Sequence, residues 1–114
     1  MELASSKFEK KVRNKSVIGA LNVIILSSLK DGPRSGYDLI CIIHDRFNAL
    51  ISPGTIYPIL ANLEKEGLVK RENDITGRKK LYKLTKEGEL TLRSVLVEYR
   101  GFVSQIKLMC NSAH

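Results

Sequence analysis

Cysteine is scarce in this chain: Cys41 and Cys110 are the only two in 114 residues, and their spacing fits neither a zinc site nor a disulfide framework. Cys41, among Leu39, Ile40, Ile42 and Ile43, reads as a small buried hydrophobe. Cys110 could also meet its copy across a dimer and form a redox-sensitive pair. No His, Cys or carboxylate spacing suggests a metal. Long apolar runs are missing as well. The longest, Val17 to Leu29, contains Asn22, Ser27 and Ser28 and falls well short of the ~20 residues of a membrane-spanning helix. The first residues lack the apolar core of an export signal, so a cytoplasmic location is expected. Catalytic groupings are absent too. His44 beside Asp45 reads as a surface histidine, with no Ser or Cys placed to serve it. His114 is terminal, and Gly54-Thr55 lacks the Lys and the preceding glycine of a phosphate loop. Neither an enzyme nor a resident cofactor is expected.

What remains is a small basic domain. The length suits one core but not an enclosed enzyme cleft besides. Nineteen Lys and Arg against 12 Asp and Glu give a formal charge of +7 and a pI near 9.6, which favours a polyanionic partner. A membrane surface would call for basic residues opposite an apolar stripe on one helix. Here the charges cluster elsewhere: Arg78, Lys79, Lys80, Lys83 and Lys86 lie within 77–86 uninterrupted by any carboxylate. That pattern suits a phosphate backbone.

Along the chain, residues 1–13 are polar and basic, with Phe8 and Val12 four apart, so a short helix competes with a flexible arm. From Lys15 to Leu29 apolar residues on nearly every side predict one helix buried on most faces, ended by Asp31, Gly32 and Pro33. Ser35 caps a helix to about Phe47, with Leu39, Ile40, Ile43 and Phe47 inward. Ser52 and Pro53 open the next, to about Glu66, and Gly67 stops it. Its inner face carries Ile56, Ile59, Leu60 and Leu63. Its outer face, centred on Gly54, Pro58, Ala61 and Lys65, is small and free of acid, with Tyr57 on one flank and Thr55 and Asn62 on the other. Such a face can approach base edges closely. Pro58, inside the helix, removes one backbone bond and should bend or loosen its first turn.

Leu68–Glu72 and Lys79–Leu84 then read as strands joined by a turn over Asn73–Arg78, with Tyr82 and Leu84 pointing to the core. Thr85 caps a last helix. Its apolar residues, Leu92, Val95, Leu96, Tyr99, Phe102, Val103, Ile106 and Met109, alternate in threes and fours as a coiled-coil seam does. A second copy of the chain is the expected cover for this seam, and intramolecular packing on the first helix is the alternative. Gly101 inside it costs about 1 kcal/mol relative to alanine unless it permits close helix contact.

The segments Gly36-Tyr37-Asp38-Leu39, Ser52 to Leu60, Leu63 to Val69, and Gly77-Arg78 through Tyr82 to Gly88 resemble the PadR family of winged-helix transcriptional regulators, in order, from about Val17 to Gly88. The resemblance implies a mainly α fold with a small β-hairpin (α+β): a winged helix-turn-helix domain with a long C-terminal dimerisation helix. It divides the chain into a basic N-terminal extension or short helix (1–14), the DNA-binding domain (15–85) and the dimerisation helix (86–114). It also implies a homodimer, usually a repressor, on a palindromic operator of double-stranded DNA. Carried over by the resemblance, Thr55, Tyr57 and Pro58 fall on the recognition helix and Arg78, Lys79 and Lys80 on the wing; the helix start and its outer face add Ser52, Pro53, Gly54, Ala61, Asn62 and Lys65, and the basic hairpin adds Lys83.

The chain departs from the family pattern in the wing, which lacks a proline after Arg78 and has Leu81 in place of the first aromatic. It also has no tryptophan, so the indole-lined drug cavity of some members has no support and a small-molecule effector stays an open question. Two other readings remain: a basic hairpin that is merely solvated, and a winged helix that serves only as a protein-interaction module.

Overall fold

In a computed structural model that describes residues 6–111, the chain forms α1 (Lys7–Gly19), α2 (Leu21–Ser28), α3 (Gly36–Phe47), α4 (Pro53–Lys65), β1 (Val69–Asn73), β2 (Lys80–Leu84) and α5 (Lys86–Asn111). The first helix begins at a reciprocal cap. The Ser6 hydroxyl accepts from the Glu9 amide at 3.0 Å, and the Glu9 carboxylate accepts from the Ser6 amide at 2.7 Å, which satisfies two otherwise orphaned donors. Helix is therefore the outcome for residues 7–13, while 1–5 lie outside the described residues.

The single helix expected over Lys15–Leu29 is instead two, divided at Ala20, where the backbone leaves helical geometry (φ −105°, ψ 11°). The break lets Leu21, Ile25, Leu26 and Leu29 all enter the core while Ile18, one turn back, stays 57% exposed. A helix end leaves carbonyls without partners; here the Tyr99 hydroxyl of α5 donates to the carbonyl of Gly19 at 3.3 Å. Downstream, Arg34 closes the end of α2 by donating from Nε to the Ser28 carbonyl at 2.8 Å.

Local signals set the limits of the next two helices. Ser35 and Asp38 form a second reciprocal cap, and α3 ends at Asn48 in the left-handed region (φ 53°), which Asn tolerates better than most residues. Pro53 opens α4 where its missing N–H costs nothing. At the other end Gly67 (φ 79°) donates to Glu64 and Leu68 donates to Leu63, each at 3.0 Å. Those paired bonds are the Schellman stop that a left-handed glycine makes available.

The strands are antiparallel, with Val69 opposite Leu84 and Asn73 opposite Lys80. β1 is displaced one residue towards the C-terminus from its expected span, and β2 starts one residue late. A feature without sequence warning joins them: Arg34 pairs with Tyr82 through two backbone bonds of 3.0 and 2.8 Å, adding a one-residue third strand. Leu39, Ile43, Ile56, Leu60 and Leu63 from α3 and α4 meet Val69 and Tyr82 of the hairpin over α2 in one buried cluster.

The start of α5 is built into this head. Thr85 donates its hydroxyl to the Gly67 carbonyl at 2.7 Å and accepts from the Gly88 amide at 3.0 Å. Gly88 is buried against the Leu68 carbonyl, with no room for a side chain. Leu92, 4% exposed, belongs to the protomer's own core. This corrects its expected place in the intersubunit seam: the apolar stripe of α5 starts inside the head and leaves it further along. The helix then runs outward, ~39 Å in all at 1.5 Å per residue, and gives the protomer its longest dimension of 60 Å. Among the described residues, no helix is long and apolar enough to cross a membrane.

Candidate nucleic-acid interface

The surface of α4 away from the core is formed by Ser52, Pro53, Gly54, Tyr57, Pro58, Ala61, Asn62 and Lys65, all exposed, with Thr55 half-buried at its edge. The hydroxyls of Ser52 and Thr55 lie 3.2 Å apart, so each orients the other at the helix start. α4 runs from Pro53 to Lys65 with Pro58 inside it. The carbonyl that loses its donor belongs to Gly54, in the first turn, where solvent can replace the bond. Glu64, on the flank, is held by Arg71 of β1 (Oε2 to Nε 3.6 Å), leaving the outer face itself without acid.

Tyr57 is less free than its position on the helix suggested. It is 44% exposed, and its ring lies over Gly36 at the first turn of α3. A Cβ built on Gly36 would sit 2.5 Å from both Cζ and the phenol oxygen of Tyr57.

The wing tip is organised by one carboxylate. Asp74 Oδ1 accepts from the Thr76 hydroxyl at 2.6 Å, the Thr76 amide at 3.1 Å and the Lys79 amide at 3.3 Å. The Thr76 hydroxyl in turn accepts from the Arg78 amide at 3.2 Å. These donors, the Thr76 hydroxyl first, hold the Asp74 carboxyl below the usual aspartate range. Gly77, in the left-handed region at φ 75°, completes the turn.

The four predicted wing cations are not equivalent. Arg78 and Lys79 are exposed at the tip. Lys80 donates to the Asn73 side chain at 2.6 Å. Lys83 lies 3.8 Å from Glu72, and strand alternation puts it on the hairpin face opposite Arg71 and Tyr82. That separates Lys83 from α4, where Arg71 points. Strand pairing also sets Lys83 directly across from Lys70, a like-charge juxtaposition that a sheet tolerates at a cost. Neither Lys70 nor Arg34 was singled out from the sequence. Alternation in β1 could have found Lys70; Arg34 depends on an isolated pairing that no local pattern announces.

At the N-terminus of α3, Asp38 is held below its ordinary pKa chiefly by the Ser35 amide, with help from the Ser35 hydroxyl and from the positive charges of Lys79 and Arg34. One carboxylate thus faces both the wing and the third strand.

Along α5, Val95 is half-buried, and Leu96 and Tyr99 are 46% and 37% exposed. Beyond them Phe102, Val103, Ile106 and Met109 are all exposed.

Three helices, a hairpin closing over the last of them, and a bare helix face beside a cationic tip define a winged helix-turn-helix protein. The transcriptional regulator PadR-like family matches residues 25–94, and the chain belongs to that family. Its members are non-enzymatic DNA-binding regulators, so this protein is a DNA-binding transcriptional regulator. A search of the curated proteins finds no significant match. Among solved structures, it resembles a transcriptional regulator from Clostridium thermocellum (28% identity, 82% of this chain and 95% of that one, TM-score 0.74). A PadR family regulator from Eggerthella lenta is similar at 28% identity over 92% of this chain and 94% of the other, with a TM-score of 0.72. Bacillus subtilis PadR, solved in complex with operator DNA, shares 31% identity over 68% of this chain and 47% of its own, with a TM-score of 0.62.

Proposed function

We propose that the protein is a dimeric repressor that binds a palindromic operator in the cytoplasm. Each protomer sets α4 into a major groove, where Thr55, Asn62 and Lys65 meet base edges and phosphates beside a face small enough to approach them. Arg78 and Lys79, at the wing tip, hold the adjacent backbone. The observations that carry this reading are an exposed, acid-free outer face on α4 and, in the same head, a cationic hairpin tip whose shape is fixed by Asp74. The Bacillus subtilis relative solved with operator DNA supports it. Two copies are joined through the outer half of α5, where Phe102 and Met109 are 65% and 72% exposed, more apolar surface than a lone helix end usually leaves in water. Two-fold pairing sets the heads for half-sites with centres ~34 Å apart.

Selection of duplexes from a random pool tests this directly. An enriched inverted repeat, bound by a species that sediments as a dimer, is the expected outcome. No enrichment, with stable capture of a protein instead, would replace this reading with that of an interaction module.

A further inference from the structure

We propose that Tyr57 is a positioning residue: its ring, seated in the notch that Gly36 leaves, ties the recognition helix to α3 and the wing and does not itself read DNA. The inference rests on α4 being the recognition helix, as proposed above. Gly36 opens α3 and is buried, but it is not among the glycines with positive φ. Any L-residue could therefore adopt its backbone conformation, and alanine is the better helix former. What excludes a side chain is Tyr57, three of whose ring and hydroxyl atoms lie within 2.7 Å of the position a Cβ would take. Glycine here serves close approach, not a turn.

The neighbours show what this contact joins. Two residues before Gly36, Arg34 is bound in both directions to the backbone of Tyr82 in β2. Burial raises the pKa of the Tyr82 phenol, and nearby Tyr57 adds to the effect. The Arg34–Gly36 segment therefore has the wing on one side and the α4 tyrosine on the other. Three parts that must meet a duplex together converge on it. More than half of the Tyr57 surface is already covered before any duplex arrives, which is the state of a spacer between elements.

The full-length protein tests this with five forms: wild type, Gly36→Ala, Tyr57→Ala, Tyr57→Phe and the Gly36→Ala/Tyr57→Ala double variant. The atoms that an alanine methyl would strike are the far end of a side chain that can rotate away. Gly36→Ala therefore expels the ring and leaves the fold in place, as a thermal melt will verify. On the duplex that wild type selects from a random pool, Gly36→Ala and Tyr57→Ala should each weaken binding on the order of tenfold, comparable to misaligning one good base contact. The double variant should be no weaker than Tyr57→Ala, because both changes undo one contact. Tyr57→Phe should bind as wild type does. Multiplying losses in the double variant would show that the two residues act apart, and a Tyr57→Phe defect equal to that of Tyr57→Ala would show the phenol meeting DNA directly; either overturns the proposal.

If wild type selects no duplex, the DNA reading fails and the contact is decided separately. In protein labelled with 3-fluorotyrosine, the Tyr57 resonance, assigned by its loss in Tyr57→Phe, should move in Gly36→Ala to the position of a solvent-exposed ring. A resonance that stays where it was would mean that the ring never occupied the notch.

Discussion

Removing one lysine from the wing tip should change how binding responds to salt by an amount set before the experiment. Lys79 is exposed and shares the tip with Arg78, whereas Lys83 lies near Glu72 on the hairpin face turned from α4. Each phosphate neutralised contributes ~0.9 to the slope of log K against log salt, through the counterions it releases. In a dimer Lys79→Ala deletes two such contacts, so the slope should fall in magnitude by about 1.8. Between 50 and 200 mM salt, that is about a twelvefold difference in how much affinity is lost. The same loss should appear on cognate and on random duplex, since phosphates carry no sequence. Lys83→Ala should change the slope by less than half as much. Fluorescence anisotropy titrations at four or five salt concentrations measure both. An unchanged slope for Lys79→Ala would remove the wing tip from the contact, and equal effects of the two substitutions would refute the distinction drawn between the tip and the Glu72 side of the hairpin.

Two further expectations concern the scaffold. Gly88→Ala sets a methyl against the Leu68 backbone carbonyl and within 2.9 Å of Leu84; because backbone cannot swing aside, it should cost about 1–3 kcal/mol despite the better helix propensity of alanine, read as a lowered midpoint in thermal or urea unfolding. A midpoint unchanged in Gly88→Ala would contradict the packing described. The Asp74 carboxyl titrates below its ordinary value because the turn donates to its charged form. Its contribution is therefore complete above the unfolded aspartate pKa and disappears as pH falls through the lower folded value. Amide exchange at Thr76 and Lys79 should accelerate over that acid window, and Asp74→Asn should show the faster exchange already at neutral pH; identical exchange in the two proteins would dismiss Asp74 as the organiser of the tip.

Much of the head was legible because its signals are local. Ser35, Pro53 and Gly67 each impose a start or a stop through a few neighbouring backbone groups, and most of the limits of α3 and α4 follow from them. The wing was legible to within a residue, since alternation identifies faces better than ends. The division at Ala20 was not: Gly19 stands beside it, but a single glycine is tolerated inside a helical pattern, and a mostly apolar sequence looks the same whether one helix or two carry it. Leu92 shows the limit of a stripe, which tells that a helix is covered and not by what. The outer face of α4 and the cations of the tip could be listed from spacing alone. Which of them share a surface required the register that turns Lys83 away, and the seating of Tyr57 over Gly36 required a contact between helices that no periodicity encodes.

Between the reading head and the C-terminal rod there is no elbow. Thr85 bolts the rod to the hairpin base, Gly88 is pressed on the backbone beneath it, Leu92 is sunk into the head, and Tyr99 is fastened to the joint at Gly19. When two such rods are paired, any tilt at their contact is delivered undamped to both heads. Such an assembly tolerates little variation in the distance between its two binding steps on the duplex, and one inserted base pair should be felt at both.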